Sequence, residues 1–244
     1  MGAFSFGSDH SGYEFSLFSA AHWAALLAVA SFFMLLFWWR RQIRHQRFRN
    51  VFRFSLIVIL IACEVLLQVW YVVNGRWDYH YSLPFELCSL SLMLSIVMLF
   101  SRSYRLYEFV YFAGIGGSLM AFLTPDLAFS FPHFRFIHFF VAHAAIVASA
   151  LFMTIAYGYR PTIKSIFRVM LVLNILMVPV FLFNLWSGSN YMFLMRKPAG
   201  GSLLDYLGPW PLYILTMELV ALALFFLLYL PFAIRIQSQQ ENAK

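Results

Sequence analysis

Three side chains in this sequence have the types that nucleophilic catalysis needs: the thiol of Cys88, the imidazole of His143 and the carboxylate of Glu218. A sulfur nucleophile, a base to take its proton and a group to orient that base form the usual division of labour in covalent catalysis. Cys88 stands in LPFELCSLSLMLS, where Cys88, Ser91 and Ser95 recur at i, i+3 and i+7. On a helix they share one small, polar face, suited to a cavity wall or a close helix contact. Pro84 is tolerated in a first turn, so Cys88 is placed near a helix start, where the positive end of the dipole stabilises a negative sulfur. Cys63 sits in mid-run among Ile and Ala without that help. It is also ~9 Å or more away in depth, so no mutual disulfide is expected. The plainer reading is packing, because a buried Cys behaves as a small hydrophobe, and a His or Glu among helices can simply hydrogen-bond its neighbours.

The elements that carry these groups are set by hydropathy. Of 244 residues, 62% are hydrophobic and 11% charged, too few charges to dress a water-facing surface. Seven runs approach the ~20 apolar residues that cross a bilayer, at about 20–39, 54–74, 83–101, 106–123, 134–157, 165–187 and 210–234. The expected fold is all-α, a polytopic bundle of seven transmembrane helices in one domain over 1–244, because backbone in lipid must bond within its own segment. No removable signal peptide is expected, since no basic segment precedes the first run.

Lys and Arg give the orientation. Thirteen of the 17 (Arg40, Arg41, Arg44, Arg47, Arg49, Arg53, Arg102, Arg105, Arg160, Lys164, Arg168, Arg235 and Lys244) fall at one end of the bundle, and four (Arg76, Arg135, Arg196, Lys197) at the other. The basic end is cytoplasmic, which puts the N-terminus outside and the C-terminus inside. The net charge of +7 is therefore a topology signal and a contact for anionic lipid at the Arg-rich first loop, not a nucleic-acid surface.

Ionisable groups at bilayer depth cost ~3 kcal/mol on insertion scales and usually face the bundle interior. Counting from the outer ends of the runs, Glu86 and Cys88 lie at ~5–8 Å, Glu218 at ~12 Å and His143 at ~13 Å. Asn184 lies near the outer end of the sixth run, and Asn190 and Tyr191 just beyond it. A second polar pair, Glu64 and Gln68, sits one turn apart in the second run. Gly114, Gly116, Gly117 and Ser118 read as a close-packing seam, with Ala113, Gly117 and Ala121 as a small-xxx-small stripe. His133, His138 and His143 are spaced by five, ~140° apart on a helix, and do not converge on a metal. No metal or other cofactor is expected, and no HExxH, GxSxG, P-loop or Rossmann pattern occurs.

Five separated blocks carry a resemblance: LPFELCSLS (83–91), GGSLMAFLTPDL (116–127), FPHFRFIHFFVAH (131–143), SNYMFLMRKP (189–198) and SLLDYLGPWPLY (202–213). In order and over nearly the whole chain they resemble the YwaF family of bacterial membrane proteins, relatives of the eukaryotic transmembrane protein 164. They are more distantly similar to androgen-induced-gene-type hydrolases of fatty acid esters. The resemblance implies a bacterial cytoplasmic membrane protein that moves an acyl chain between phospholipids, with Cys88 as nucleophile and His143 as its partner.

On that footing Glu218 is expected to orient His143, Arg196 and Lys197 to hold a lipid phosphate, and Asn190 or Tyr191 to donate to the oxyanion. Glu86 and Asn184 complete the expected substrate contacts. A phospholipid or lysophospholipid is the expected partner, and transfer is favoured over hydrolysis because a lipid-lined site excludes water. The rival class is a lipid or small-molecule receptor or a transporter without catalysis, although no internal repeat of the transporter kind is visible.

Overall fold

The computed structural model describes residues 6–7, 14–198 and 203–241; Lys244 lies outside the described residues. The apolar runs coil into helices α1 (Ala20–Trp38), α2 (Arg40–Arg44), α3 (Gln46–Val73), α4 (Leu87–Ser101), α5 (Tyr104–Phe109), α6 (Ile115–Leu123), α7 (Phe134–Tyr157), α8 (Ile163–Ser187) and α9 (Leu212–Glu241). A π-helical turn, Val110–Gly114, joins α5 to α6 as one continuous rod. Among the described residues the only β pairing is an isolated bridge between Glu14 and Phe129.

Six segments are long and apolar enough to cross a membrane: α1, α3, the α5–α6 rod, α7, α8 and the Leu212–Ile234 part of α9. The third expected run yields a shorter apolar helix, α4, of 15 residues. It begins at Leu87 rather than 83 because Glu86 is extended (φ −70°, ψ 146°) and the Phe85 amide turns back to the Leu83 carbonyl. Seven expected spans thus become six long helices and one short one. In the other direction, α3 starts at Gln46 and not at 54. Its first turns are rich in Arg, which favours helix without being apolar.

α7 is the central column, packed against α3, α4 and α6 with one whole side of small and aromatic residues buried. α1, α8 and α9 present large apolar side chains outward, among them Leu27, Met34, Leu171, Trp186, Leu219 and Leu227. That surface suits lipid rather than water. Helix ends are chemically marked. Ser19, Ser103 and His133 cap α1, α5 and α7, and Thr162 with Ser165 forms a capping box on α8. Gly158 and Gly188 end α7 and α8 at φ 71° and 75°, the left-handed conformation that glycine takes without strain. At the basic end Glu108 is buried and accepts from both Ser165 and Arg168, tying α5 to α8.

Candidate functional site

The site is built where α4, α6 and α7 touch. A β-carbon placed on Gly114 would lie 3.7 Å from Ser91 Cβ and 2.9 Å from Ile146 Cγ2, so side chains of α4 and α7 close on this position and a larger residue would have to displace Ile146. One placed on Gly117 would lie 3.7 Å from Cys88 Sγ. Moving up the rod from 114 to 117 thus means moving back along α4 from 91 to 88, and the two run antiparallel. Gly114 meets Ile146 whereas Phe122, further up the rod, meets Phe140 and His143, so α7 is antiparallel to the rod as well. One turn beyond the Ser91–Gly114–Ile146 layer, ~4.5 Å on each helix, Cys88, Gly117 and His143 therefore occupy a common level. No hydrogen bond joins Sγ to the imidazole; among the described residues Cys88 is a free thiol, partly exposed.

His143 is 8% exposed, and its Nδ1 lies 2.7 Å from the Phe139 carbonyl. A carbonyl only accepts, so Nδ1 carries the proton and the neutral ring keeps its lone pair on Nε2. Nε2 has no hydrogen-bond partner among the described residues. The neighbouring histidines are committed elsewhere. His22 Nε2 lies 2.8 Å from the Phe122 carbonyl, His138 Nε2 lies 2.9 Å from the Cys63 carbonyl, and His133 Nδ1 accepts from the Arg135 amide. His22 and His133 have both ring nitrogens engaged, whereas His143 keeps Nε2 and His138 keeps Nδ1 without a partner among the described residues.

The start of α4 is also unusual. Glu86 is its N-cap residue but makes no capping bond; its carboxylate instead accepts from the Met192 amide at 2.9 Å. The first bond of the helix runs from the Leu90 amide to the Glu86 carbonyl. The amides of Leu87, Cys88 and Ser89 have no partner among the described residues. Such amides at a helix start form a site for negative charge. Two more polar atoms are orphaned nearby: the hydroxyls of Ser91 and Ser118 are buried without a hydrogen bond.

The other residues expected at the site have different duties. Glu218, on α9, is half-buried and makes no hydrogen bond or ion pair among the described residues, so the orienting contact expected from it comes from the Phe139 carbonyl. Asn184 clamps Tyr191 through both ends of its amide, donating to the carbonyl at 2.9 Å and accepting from the N–H at 3.0 Å. Asn190 accepts from the amides of Met195 and Arg196 and donates to the Arg196 carbonyl. The Tyr191 hydroxyl donates to the Tyr79 carbonyl and accepts from the Leu83 amide; burial pushes its phenol up to about 12, so it stays a donor at physiological pH. Asn184, Asn190, Tyr191 and Glu86 therefore hold the 188–198 loop down over the start of α4. The side-chain polar groups of Asn190 and Tyr191 are engaged within that loop and its neighbours, whereas the amides of 87–89 have no partner among the described residues. Lys197 donates to the Asp205 carbonyl, whereas Arg196 is exposed with its guanidinium free.

Glu64 and Gln68 hydrogen-bond each other, and Gln68 also donates to the Ser82 carbonyl. Sequence reasoning missed Gly117 as a wall for the sulfur, and it missed the uncapped amides. The glycine run was the available signal for the first. The second depends on Glu86 reaching a residue 106 positions away, for which no local signal exists.

Long apolar helices around a buried polar layer define a multi-pass helical membrane protein. A model of the TMEM164 family matches residues 17–229, and the chain belongs to that family. No curated protein and no solved structure matches it.

Proposed function

We propose that this protein is an acyltransferase of the bacterial cytoplasmic membrane that moves a fatty acyl chain between phospholipids through a thioester on Cys88. The bundle would have seven passes, α4 being the short one, with the N-terminus outside. The reading is supported by the contact of Cys88 with Gly117, which by helix rise brings it near the level of His143, with Nε2 unengaged and three free amides at the nucleophile's own turn.

In the first half-reaction the thiol proton passes to His143 Nε2 and Sγ attacks the ester carbonyl. The carbonyl oxygen becomes negative and is met by the amides of Cys88 and Ser89. The C–O bond breaks, the thioester forms, and the leaving lysophospholipid oxygen takes the proton back from Nε2. The second half reverses these steps with the hydroxyl of an acceptor lysophospholipid. Arg196 meets the substrate phosphate at the outer surface. Its guanidinium is free for two parallel bonds to phosphate oxygens.

The test is labelling of membranes with an alkyne-bearing phospholipid acyl donor. The wild-type chain should acquire a hydroxylamine-sensitive label and Cys88→Ala should acquire none at equal expression. A mutant labelled as strongly as the wild type removes Cys88 from the chemistry and leaves a non-catalytic lipid-binding protein.

A further inference from the structure

At the opposite end of the bundle from Cys88, three arginines converge on one tyrosine. Arg53 donates from Nη1 to the Tyr157 hydroxyl at 3.4 Å, and the guanidinium carbons of Arg49 and Arg102 lie 5.4 and 5.6 Å from the centre of the same ring. Arg49 and Arg53 are one turn apart on α3, an i, i+4 pair of like charge that repels. They occupy the first turns of that helix, where the dipole is already positive and where no acidic residue stands.

Arg53 is 8% exposed, and the Nε groups of both Arg49 and Arg53 are buried with no acceptor. Buried charge is normally paired, yet none of these three arginines has a carboxylate partner among the described residues. The two ion pairs among the described residues are His80–Asp78 and Arg168–Glu108. Glu108, the acidic group nearest this end in sequence, is already taken by Arg168 and Ser165. Ordinary support of the α7 terminus does not account for the cluster. That role is filled by Arg44, whose Nε donates to the Ile155 carbonyl.

From this uncompensated, partly desolvated positive cluster we infer that Arg49, Arg53, Arg102 and Tyr157 form a binding site for a phosphate group at the basic mouth of the bundle. Guanidinium forks match phosphate oxygens in pairs. The Tyr157 hydroxyl accepts from Arg53 and keeps its own proton to donate to the anion. Arg102 is exposed, so the site is reached from its side. It also ends α4 with a left-handed backbone, φ 54°, and its carbonyl accepts from the Tyr159 hydroxyl at 2.6 Å, which fixes the base of the side chain. The phosphate belongs either to an anionic lipid headgroup or to a small soluble phosphate. The site is independent of the proposed acyl transfer.

The experiment uses the full-length protein in phosphatidylcholine nanodiscs and follows its melting in two arms, one titrated with inorganic phosphate and one doped with phosphatidic acid. A saturable rise in Tm is expected in at least one arm. Phosphatidic acid alone assigns the headgroup, and a rise with inorganic phosphate assigns the free ion. Arg53→Gln should weaken the midpoint about tenfold, one lost charge-assisted contact. Arg102→Asn removes an exposed guanidinium while keeping a residue that tolerates the left-handed backbone. It should act in the same way, and it carries the test if the Arg53 variant does not fold. Arg47→Gln, exposed in the first turn of α3, should leave the midpoint unchanged. No rise in either arm, or an equal loss from Arg47→Gln, overturns the site.

Discussion

The sulfur of Cys88 rests against the backbone of Gly117: a β-carbon on that glycine would lie 3.7 Å from Sγ, an ordinary contact with no room beyond it. Gly117→Ala should therefore label with acyl donor at close to the wild-type rate. Gly117→Val, whose extra methyl groups press on the sulfur, should lose most of the labelling while still reaching the membrane. Equal rates for the two variants would show that the acyl chain approaches from another side.

The imidazole should matter and the carboxylate should not. His143→Gln keeps a donor for the Phe139 carbonyl but supplies no base, and labelling should slow by ~10²–10⁴-fold. Glu218→Gln should leave the rate unchanged, because the Glu218 carboxylate engages nothing among the described residues. Rate constants for the two variants, measured side by side, decide between an imidazole oriented by a backbone carbonyl and a triad completed by Glu218.

Glu86 is expected to act through stability. Glu86→Ala leaves the Met192 amide without its acceptor at a residue already held at φ 56°, and should cost ~1–3 kcal/mol. Glu86→Gln keeps an acceptor oxygen and should cost less. Thermal melting in detergent reads both. A Glu86→Ala protein that melts with the wild type would mean that the loop is held by Asn184 and Tyr191 alone.

The two orphaned hydroxyls carry the same expectation for stability. A buried hydroxyl without a partner is unfavourable by ~1–3 kcal/mol, so Ser91→Ala and Ser118→Ala should melt no lower than the wild type, and higher if the seam is dry. A fall of several degrees in either variant would show that the hydroxyl is hydrogen-bonded in the membrane, by water or by lipid.

Hydropathy made the helices legible because it reports the part of each helix that lipid touches. It stopped short at the Arg-rich start of α3 and ran long at 83–86, where the chain is apolar but extended. Cys88 and His143 were legible as costly polar groups in apolar runs. The same logic also picked out Glu86, Asn184, Asn190 and Tyr191, since a buried polar side chain that clamps a loop looks, in a sequence, like one that binds a ligand. Which of the two it is depends on partners up to 112 residues away, and no local spacing encodes that.

The brevity of α4 has a consequence for the membrane itself. Fifteen residues rise ~22 Å, against ~30 Å of hydrocarbon. In the proposed topology, with its lower end at the level of Arg102, the helix stops about one and a half turns short of the outer edge of the hydrocarbon, with the 188–198 loop over its start. Bilayers meet such mismatch by thinning around the protein. A lipid drifting into that depression would bring its glycerol down to the sulfur while its tails stay among other tails. The ester bond would then be delivered by the shape of the surrounding membrane, and thicker, stiffer bilayers would keep it away.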